Sequence, residues 1–131
     1  MSLHVERSGA GPDLALLHGW GLHGGVWSPV AQALAARHRV HAIDLPGHGH
    51  SAATAFAGLE SAADAVAEAI PEASLVCGWS LGGLVALAIA LRHPARVRAL
   101  ALVSTTPCFV AREGWPHAMA PATLAQFASG A

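Results

Sequence analysis

A serine held between two glycines is the residue of this sequence best suited to act as a nucleophile. It is Ser80, at the centre of the pentapeptide GWSLG at positions 78–82. Residues 74–77 suit a buried parallel strand, and apolar residues at helical spacing follow the serine: Leu81, Leu84, Val85 and Ala88. A sharp strand-to-helix turn strains the serine backbone, requires small neighbours and exposes the hydroxyl. The pattern predicts a nucleophile elbow for acyl transfer; the alternative is a serine N-cap with glycines used for close packing.

The elements that would position Ser80 alternate between strands and helices. Strands are predicted at an edge near residues 3–7 and then at 13–17, 39–43, 74–77 and 97–103. Helices are predicted over about 26–36, from Leu59 to Ile70, and from the elbow to His93-Pro94. The inner face of the first helix is expected to carry Trp27, Val30 and Leu34. This order predicts an α/β fold: a parallel sheet with right-handed crossovers and helices on both faces.

Three loops are expected at the carboxyl edge of this sheet, which is where open parallel sheets bind ligands. They are HGWG at 18–21, DLPGHG at 44–49 and the elbow itself. The set is much more specific than any one member. In order and spacing it resembles the α/β-hydrolase family, from near the N-terminus to residue 104.

The longer motifs are similar to one branch of that family, the carboxylesterases of biotin synthesis. The similarity is carried by LLHGWGLHGGVW, DLPGHGHS, GWSLGGLVALAIALRHPARVRAL and the tail STTPCFVAREGWP. It implies hydrolysis of the methyl ester of a pimeloyl chain linked to acyl-carrier protein, or of another small ester, by a full-length protein that is a monomer. No metal or organic cofactor is implied. The runner-up within the family is a different small-ester or C–C bond hydrolase that uses the same elbow.

The chemistry assigns roles to individual residues. Ser80 Oγ would attack an ester carbonyl, and the developing oxyanion needs two preorganised donors. The candidates are the backbone N–H groups of Leu81, at the helix N-terminus, and of Trp20, in the loop after the first buried strand. The resemblance implies that the side chains of Trp20 and Trp79 wall the acyl pocket. His18 is expected to brace the oxyanion loop rather than act as a base, and the small residues expected to support the turn are Gly19, Gly78 and Gly82.

A hydrolase of this kind needs an acid and a histidine after the serine in the chain. Glu113 with His117 has the right order but lies in a Pro-rich stretch, and His93 is about 20 Å from Ser80 along the predicted helix. We therefore interpret the chain as the N-terminal part of a hydrolase of roughly 250 residues. Residues 1–104 would form half of the core and 105–131 the start of a lid. A sheet without its last strands would expose an apolar edge, so weak stability or association is expected.

Other classes explain fewer of these features. GWGLHG at 19–24, with Asp44 twenty residues after the last glycine, matches a dinucleotide-binding fingerprint. However, Trp20 and His23 would crowd a pyrophosphate, and a dinucleotide site would not explain the elbow motif. His48 and His50 have metal-ligand spacing, but no acidic residue follows them, so a polar loop is the expectation. An inactive binding protein that keeps the half-fold would explain only the missing acid and histidine.

Composition limits the remaining possibilities. The 131 residues are 53% hydrophobic and 11% charged, which suits one domain with a substantial core. The net charge of −1 and the scattered arginines give no reason to expect nucleic-acid binding. The apolar runs are too short to span a membrane, and the N-terminus has no apolar signal region, so a cytoplasmic location is expected. Cys77 and Cys108 are predicted to be free thiols.

Overall fold

The computed structural model describes residues 2–130. Met1, the first residue of the predicted half-core 1–104, and Ala131, the last residue of the predicted lid segment 105–131, lie outside this range. One five-stranded sheet has the order β1-β3-β2-β4-β5. Its strands are β1 (Val5–Ser8), β2 (Asp13–Leu17), β3 (Arg39–Ile43), β4 (Ser74–Trp79) and β5 (Val97–Val103). β1 runs antiparallel to β3, and the other neighbours are parallel. The predicted α/β architecture is confirmed, with the first strand at one edge.

Helices cover both faces of the sheet. They are α1 (Ser28–Leu34), α2 (Leu59–Ala69), α3 (Leu81–Arg92) and α4 (Pro121–Gly130), with 3-10 turns at Gly24–Trp27, Gly49–Ser51 and Pro94–Arg96. Side chains alternate across a strand, so Leu14 and Leu16 of β2 join a cluster with α1, whereas Ala15 and Leu17 belong to the larger core with α2 and α3. The sheet therefore lies between two layers of helix, as the sequence predicts.

The first helix differs from its prediction in extent and in its inner face. A 3-10 turn precedes it, and the α-helix itself begins only at Ser28. Ala31, Leu34 and Ala35 pack on the sheet together with Trp27, while Val30 is 42% exposed. Val30 lines the apolar groove between α1 and the sheet with Leu34, so it lies at the open rim of the predicted inner face while Ala31 packs in the closed cluster.

The strand β5 is less covered than the central strands. β2 and β3 are almost entirely buried, but most residues of β5 are exposed, including Leu102 and Val103. An apolar groove of about 290 Å³ opens on the α1 side of the sheet, lined by side chains from β2, β4, β5 and α1, among them Leu16, Leu34 and Leu100. The described part of the chain thus exposes an apolar surface along this edge.

Beyond Ser104 the chain leaves the sheet. Two isolated bridges pair Val110 with Met119 and Arg112 with Trp115 before α4 begins. The indole N–H of Trp115 donates to the carbonyl of Cys108 over 3.0 Å. This segment is held mainly by local contacts, unlike the sheet, and its assignment to a lid stays a prediction.

Candidate active site

Ser80 lies at the junction between β4 and α3. Its backbone has φ +55° and ψ −114°, a conformation that residues other than glycine rarely adopt. The Ser80 N–H donates to the carbonyl of Val103 over 3.0 Å, which links the turn to the end of the neighbouring strand β5. A strained residue of this kind costs about 1–3 kcal/mol. Such a cost persists only where the surrounding structure fixes the turn.

The glycines around Ser80 allow backbones to approach too closely for any side chain. A Cβ atom added to Gly78 would overlap the carbonyl of Gly82. One added to Gly82 would overlap the carbonyl oxygen of Leu17 and lie 2.7 Å from that of His18. The start of α3 is therefore packed directly on the loop that follows β2. This contact brings two of the three predicted loops together.

Two residues that the sequence analysis did not select also hold the turn. Thr105 Oγ1 donates to the carbonyl of Ser80 over 2.7 Å, and that carbonyl also accepts from the N–H groups of Gly83 and Leu84. A Cβ on Gly83 would lie 2.5 Å from the methyl carbon of Thr105. The second glycine of WSLGG was a visible signal for Gly83. Nothing local marked Thr105, because its partner is 25 residues away.

The loop after β2 lies against the serine. A Cβ atom on Gly19 would be 3.7 Å from Ser80 Cβ and 3.7 Å from the Trp79 ring, so Gly19 passes close to both. Trp20 follows with its side chain 49% exposed, whereas Trp79 is half-buried. The structure thus places Gly19 beside both Ser80 and Trp79, with Trp20 next in the chain.

His18 is fully buried and makes two hydrogen bonds that fix its tautomer. Its Nε2 accepts from the backbone N–H of Leu45 over 3.0 Å, so the ring proton lies on Nδ1. Nδ1 then donates to the carbonyl of Gly19 over 2.7 Å. That carbonyl shares a peptide plane with the Trp20 N–H. His18 consequently sets the direction in which the Trp20 N–H points.

Burial dominates the electrostatics of His18. Desolvation lowers the pKa of the imidazole below its usual value, against the opposing effect of the hydrogen bond to Gly19. The ring of His48 packs against it at a centroid distance of 5.1 Å, and its charge acts in the same direction as burial. A neutral imidazole is the form that can accept from Leu45.

Asp44 anchors the second loop. Its carboxylate accepts from the N–H groups of Gly24 at 2.6 Å and His50 at 2.8 Å. Burial alone would raise the pKa of Asp44, but these backbone hydrogen bonds, together with that from the His50 side chain, hold it below its ordinary value. This carboxylate would have to bind the ribose in the dinucleotide alternative. Here it is used to hold the loop, and α1 begins at Ser28 rather than after the last glycine of the fingerprint.

The candidate acids and bases after Ser80 are not brought to it. His93 caps the C-terminal end of α3, whose twelve residues span about 18 Å. His93 lies 2.6 Å from Asp64, which also pairs with Arg92. Arg92 and His93 together hold the pKa of the Asp64 carboxyl well below its usual range. Glu113 and His117 are exposed, and within residues 2–130 no hydrogen bond that we identify joins either to Ser80.

Comparison with known proteins agrees with this geometry. The family model described as the alpha/beta hydrolase fold matches residues 13–121. The chain belongs to the α/β-hydrolase family. Among proteins of known structure, an esterase from Exiguobacterium antarcticum superposes with a TM-score of 0.85 at 25% identity, covering 98% of this chain and 51% of that one.

Several relatives that are more similar in sequence share one name. The pimeloyl-[acyl-carrier protein] methyl ester esterase of Nitrosomonas europaea is 49% identical over 126 residues, or 96% of this chain. The esterase of that name from Chromobacterium violaceum is 53% identical over 124 residues, or 95% of this chain. The chain spans about half the length of these relatives: 50% of the first and 49% of the second.

The helices of this chain differ from a transmembrane helix, which needs about 20 predominantly apolar residues. In the described range, none combines enough length with enough apolar character to cross a membrane. Cys77 and Cys108 are both free, as predicted.

Proposed function

We propose that Ser80 is the nucleophile of a serine carboxylesterase that hydrolyses the methyl ester of a pimeloyl chain carried by acyl-carrier protein, in biotin synthesis. The observation that carries the proposal is the backbone of Ser80, at φ +55° between close-packed glycines and beside Gly19. The names of the relatives at about 50% identity support the substrate class. The location in the cytoplasm and the monomeric state of the full-length protein stay predictions.

The proposed reaction proceeds by acyl transfer. Ser80 Oγ attacks the ester carbonyl, and the N–H groups of Leu81 and Trp20 stabilise the oxyanion, at about 2.7–4 kcal/mol for each donor. The tetrahedral intermediate collapses with loss of methanol, and water then hydrolyses the acyl-enzyme to free the carboxylate. Trp20 and Trp79 would wall the acyl pocket. His18 has no proton-transfer role in this scheme; it orients the Gly19–Trp20 peptide.

The mechanism also needs a general base and an acid partner for it, and none of the residues named above fills either role. His93 contacts Asp64 at the far end of α3, and the His117 ring makes an edge-to-face contact with Trp115 at a centroid distance of 5.1 Å. We propose that residues 1–104 form the nucleophile-bearing half of the core, that 105–131 begin a lid, and that sequence outside this chain supplies the acid and the histidine.

A chimeric protein tests this proposal. Residues 1–131 would be joined in register to the C-terminal half of the Nitrosomonas europaea relative, and methanol release from pimeloyl-acyl-carrier-protein methyl ester would be measured. We expect hydrolysis together with labelling by a fluorophosphonate, and loss of both in Ser80→Ala. A chimera that folds, as judged by a cooperative melt, yet is not labelled would contradict the role of Ser80.

The same chimera separates the substrate classes. If a p-nitrophenyl ester is cleaved but the carrier-linked ester is not, the enzyme is a different small-ester hydrolase. The likeness to the Exiguobacterium esterase is the observation that favours this second candidate. Labelling of the 131-residue chain on its own would instead mean that a base lies within it, and would contradict the proposed division of the catalytic residues.

A further inference from the structure

Three side chains from separate segments meet beside the start of β1. His4 precedes β1, Asp44 follows β3, and His50 lies in the 3-10 turn Gly49–Ser51. Each offers one ligand atom, and these three atoms all lie within 4.8 Å of one another. The rings of His4 and His50 have centroids 4.5 Å apart. Two imidazoles and a carboxylate are a donor set that divalent transition metals bind.

The backbone of this cluster is fixed by hydrogen bonds. The Asp44 N–H donates to the carbonyl of His4 over 3.0 Å, and the His4 N–H donates to Ser51 Oγ over 2.9 Å. The Asp44 carboxylate is oriented by the N–H groups of Gly24 and His50. Hydrogen bonds of this kind orient the first-shell ligands of metal sites. Oδ1 accepts only from Gly24 among these groups, and the second contact of Oδ2 is with His50 Nδ1, which is itself one of the three candidate ligands, so an ion bound between them would take the place of that contact.

A glycine makes the close approach possible. Gly49 has φ +49°, and a Cβ atom on it would lie 2.5 Å from Asp44 Oδ2 and 2.8 Å from the Cβ of His23. The turn can therefore carry the His50 ring up to the carboxylate only if residue 49 has no side chain. The spacing of His50 from Asp44 thus depends on a feature of the backbone and not on a flexible side chain alone.

One distance in the cluster already matches the requirement of a tetrahedral ion, and the cluster as a whole is wider, with its ligand atoms within 4.8 Å of one another. His50 Nδ1 lies 3.3 Å from Asp44 Oδ2, which is long for a charge-assisted hydrogen bond. Two ligands bound at 2.0–2.2 Å with a tetrahedral angle are about 3.3–3.6 Å apart. The side chain of His50 is 78% exposed and that of His4 half-buried, so rotation of these two rings can close the remaining gap. We propose that His4, Asp44 and His50 form a binding site for one Zn²⁺ ion.

The surroundings leave room for a fourth ligand. The three residues line a cavity of about 160 Å³ together with His23 and Glu6. His23 Nδ1 accepts from the N–H of Gly25, so the proton of the neutral ring lies on Nε2, and His23 lines the cavity without offering a free nitrogen to the ion. The ligand set contains none of the groups proposed for ester hydrolysis. The role of the ion is structural: it joins the start of β1, the end of β3 and the following turn, and so stabilises the folded state.

Titration of the untagged protein with Zn²⁺ tests the site. We expect one ion per chain and a melting temperature that rises by about 10 °C at a hundredfold excess over the dissociation constant. His50→Ala and His4→Ala should each weaken binding at least tenfold and remove the rise. His117→Ala, which removes an exposed histidine outside the cluster, should bind like the parent protein.

Co²⁺ provides an independent readout, because its visible absorption distinguishes four-coordinate from six-coordinate ions. An intense four-coordinate spectrum that His50→Ala abolishes supports the site. The proposal is overturned if His50→Ala and His4→Ala bind as tightly as the parent, since binding would then be due to other histidines or thiols. It is equally overturned if the parent binds no Zn²⁺ at neutral pH. Neither result bears on ester hydrolysis, so the two proposals fail separately.

Discussion

The Nε2 atom of His18 lies 3.0 Å from the backbone nitrogen of Leu45, in a position where only an unprotonated nitrogen can accept the N–H. The same ring donates from Nδ1 to the carbonyl of Gly19. One buried imidazole thus joins the loop after β3 to the loop that carries the proposed oxyanion donor. The link lasts only while the ring is neutral.

Stability should therefore fall as acid is added through the range in which His18 titrates. Burial lowers the pKa of the folded-state imidazole below its ordinary value of 6.5, so the unfolded chain binds more protons in the interval below pH 6.5. The stabilising contribution is complete above that value and is lost progressively as the pH falls toward the lowered pKa. Melting temperatures measured between neutral pH and pH 5 check this, with a smaller decline expected for His18→Gln than for the parent.

The control for this effect is His117→Gln. That histidine is exposed, so its replacement should leave the pH dependence of the melt as it is in the parent. Equal slopes for all three proteins would contradict the role given to His18.

Gly82→Ala should be severely destabilising although alanine is the better helix former. The new methyl group would overlap the Leu17 carbonyl, and because this carbonyl belongs to the backbone it cannot rotate away. We expect a loss of about 3 kcal/mol or more in the free energy of unfolding, measured by urea denaturation. Gly114→Ala is the comparison, because its φ is +78° but nothing lies within 4 Å of the added atom. It should cost only about 1–2 kcal/mol, from backbone strain. Equal losses would exclude the overlap as the cause.

Ser80→Gly should be more stable than Ser80→Ala. The backbone of Ser80 is in a region that glycine adopts without strain, so the glycine variant should gain about 1–3 kcal/mol relative to alanine. At Ser28, where the backbone is helical, the order should reverse, with glycine less stable than alanine by about 0.5–1 kcal/mol. Thermal melts of the four variants measure both differences. If alanine is the more stable residue at both positions, the turn at Ser80 is not strained.

The exposed strand β5 should cause self-association. Leu102 is 43% exposed on a strand that pairs only with β4 among the described strands, next to the apolar groove. Sedimentation at increasing protein concentration should show growing mass, and Leu102→Lys should reduce it by charging the edge. Leu91→Lys introduces the same charge on α3, where Leu91 is 84% exposed, and should have less effect. A parent protein that stays monomeric at every concentration would contradict this prediction.

The sequence alone determined most of the fold and the position of the proposed nucleophile. Strands and helices follow from hydrophobic periods of two and about 3.6 residues, and the elbow follows from glycines beside Ser80, because both depend on local sterics. The exception is the extent of the first helix, whose α-helical part begins later than the period suggested. A 3-10 turn replaces its expected first residues, and periodicity does not distinguish that turn from an α-helix.

Only the tertiary structure decided which distant groups meet. Thr105 bonds to Ser80 across 25 positions, and His18 contacts Leu45 across 27. His4 meets Asp44 and His50 across 40 and 46 positions, and only Asp44 and His50 are near each other in the chain. Such contacts arise where parallel strands bring their following loops to one edge, and where β1 adds to β3 in antiparallel register. No local pattern in the sequence records that pairing, so the partners became visible only once the sheet was assembled.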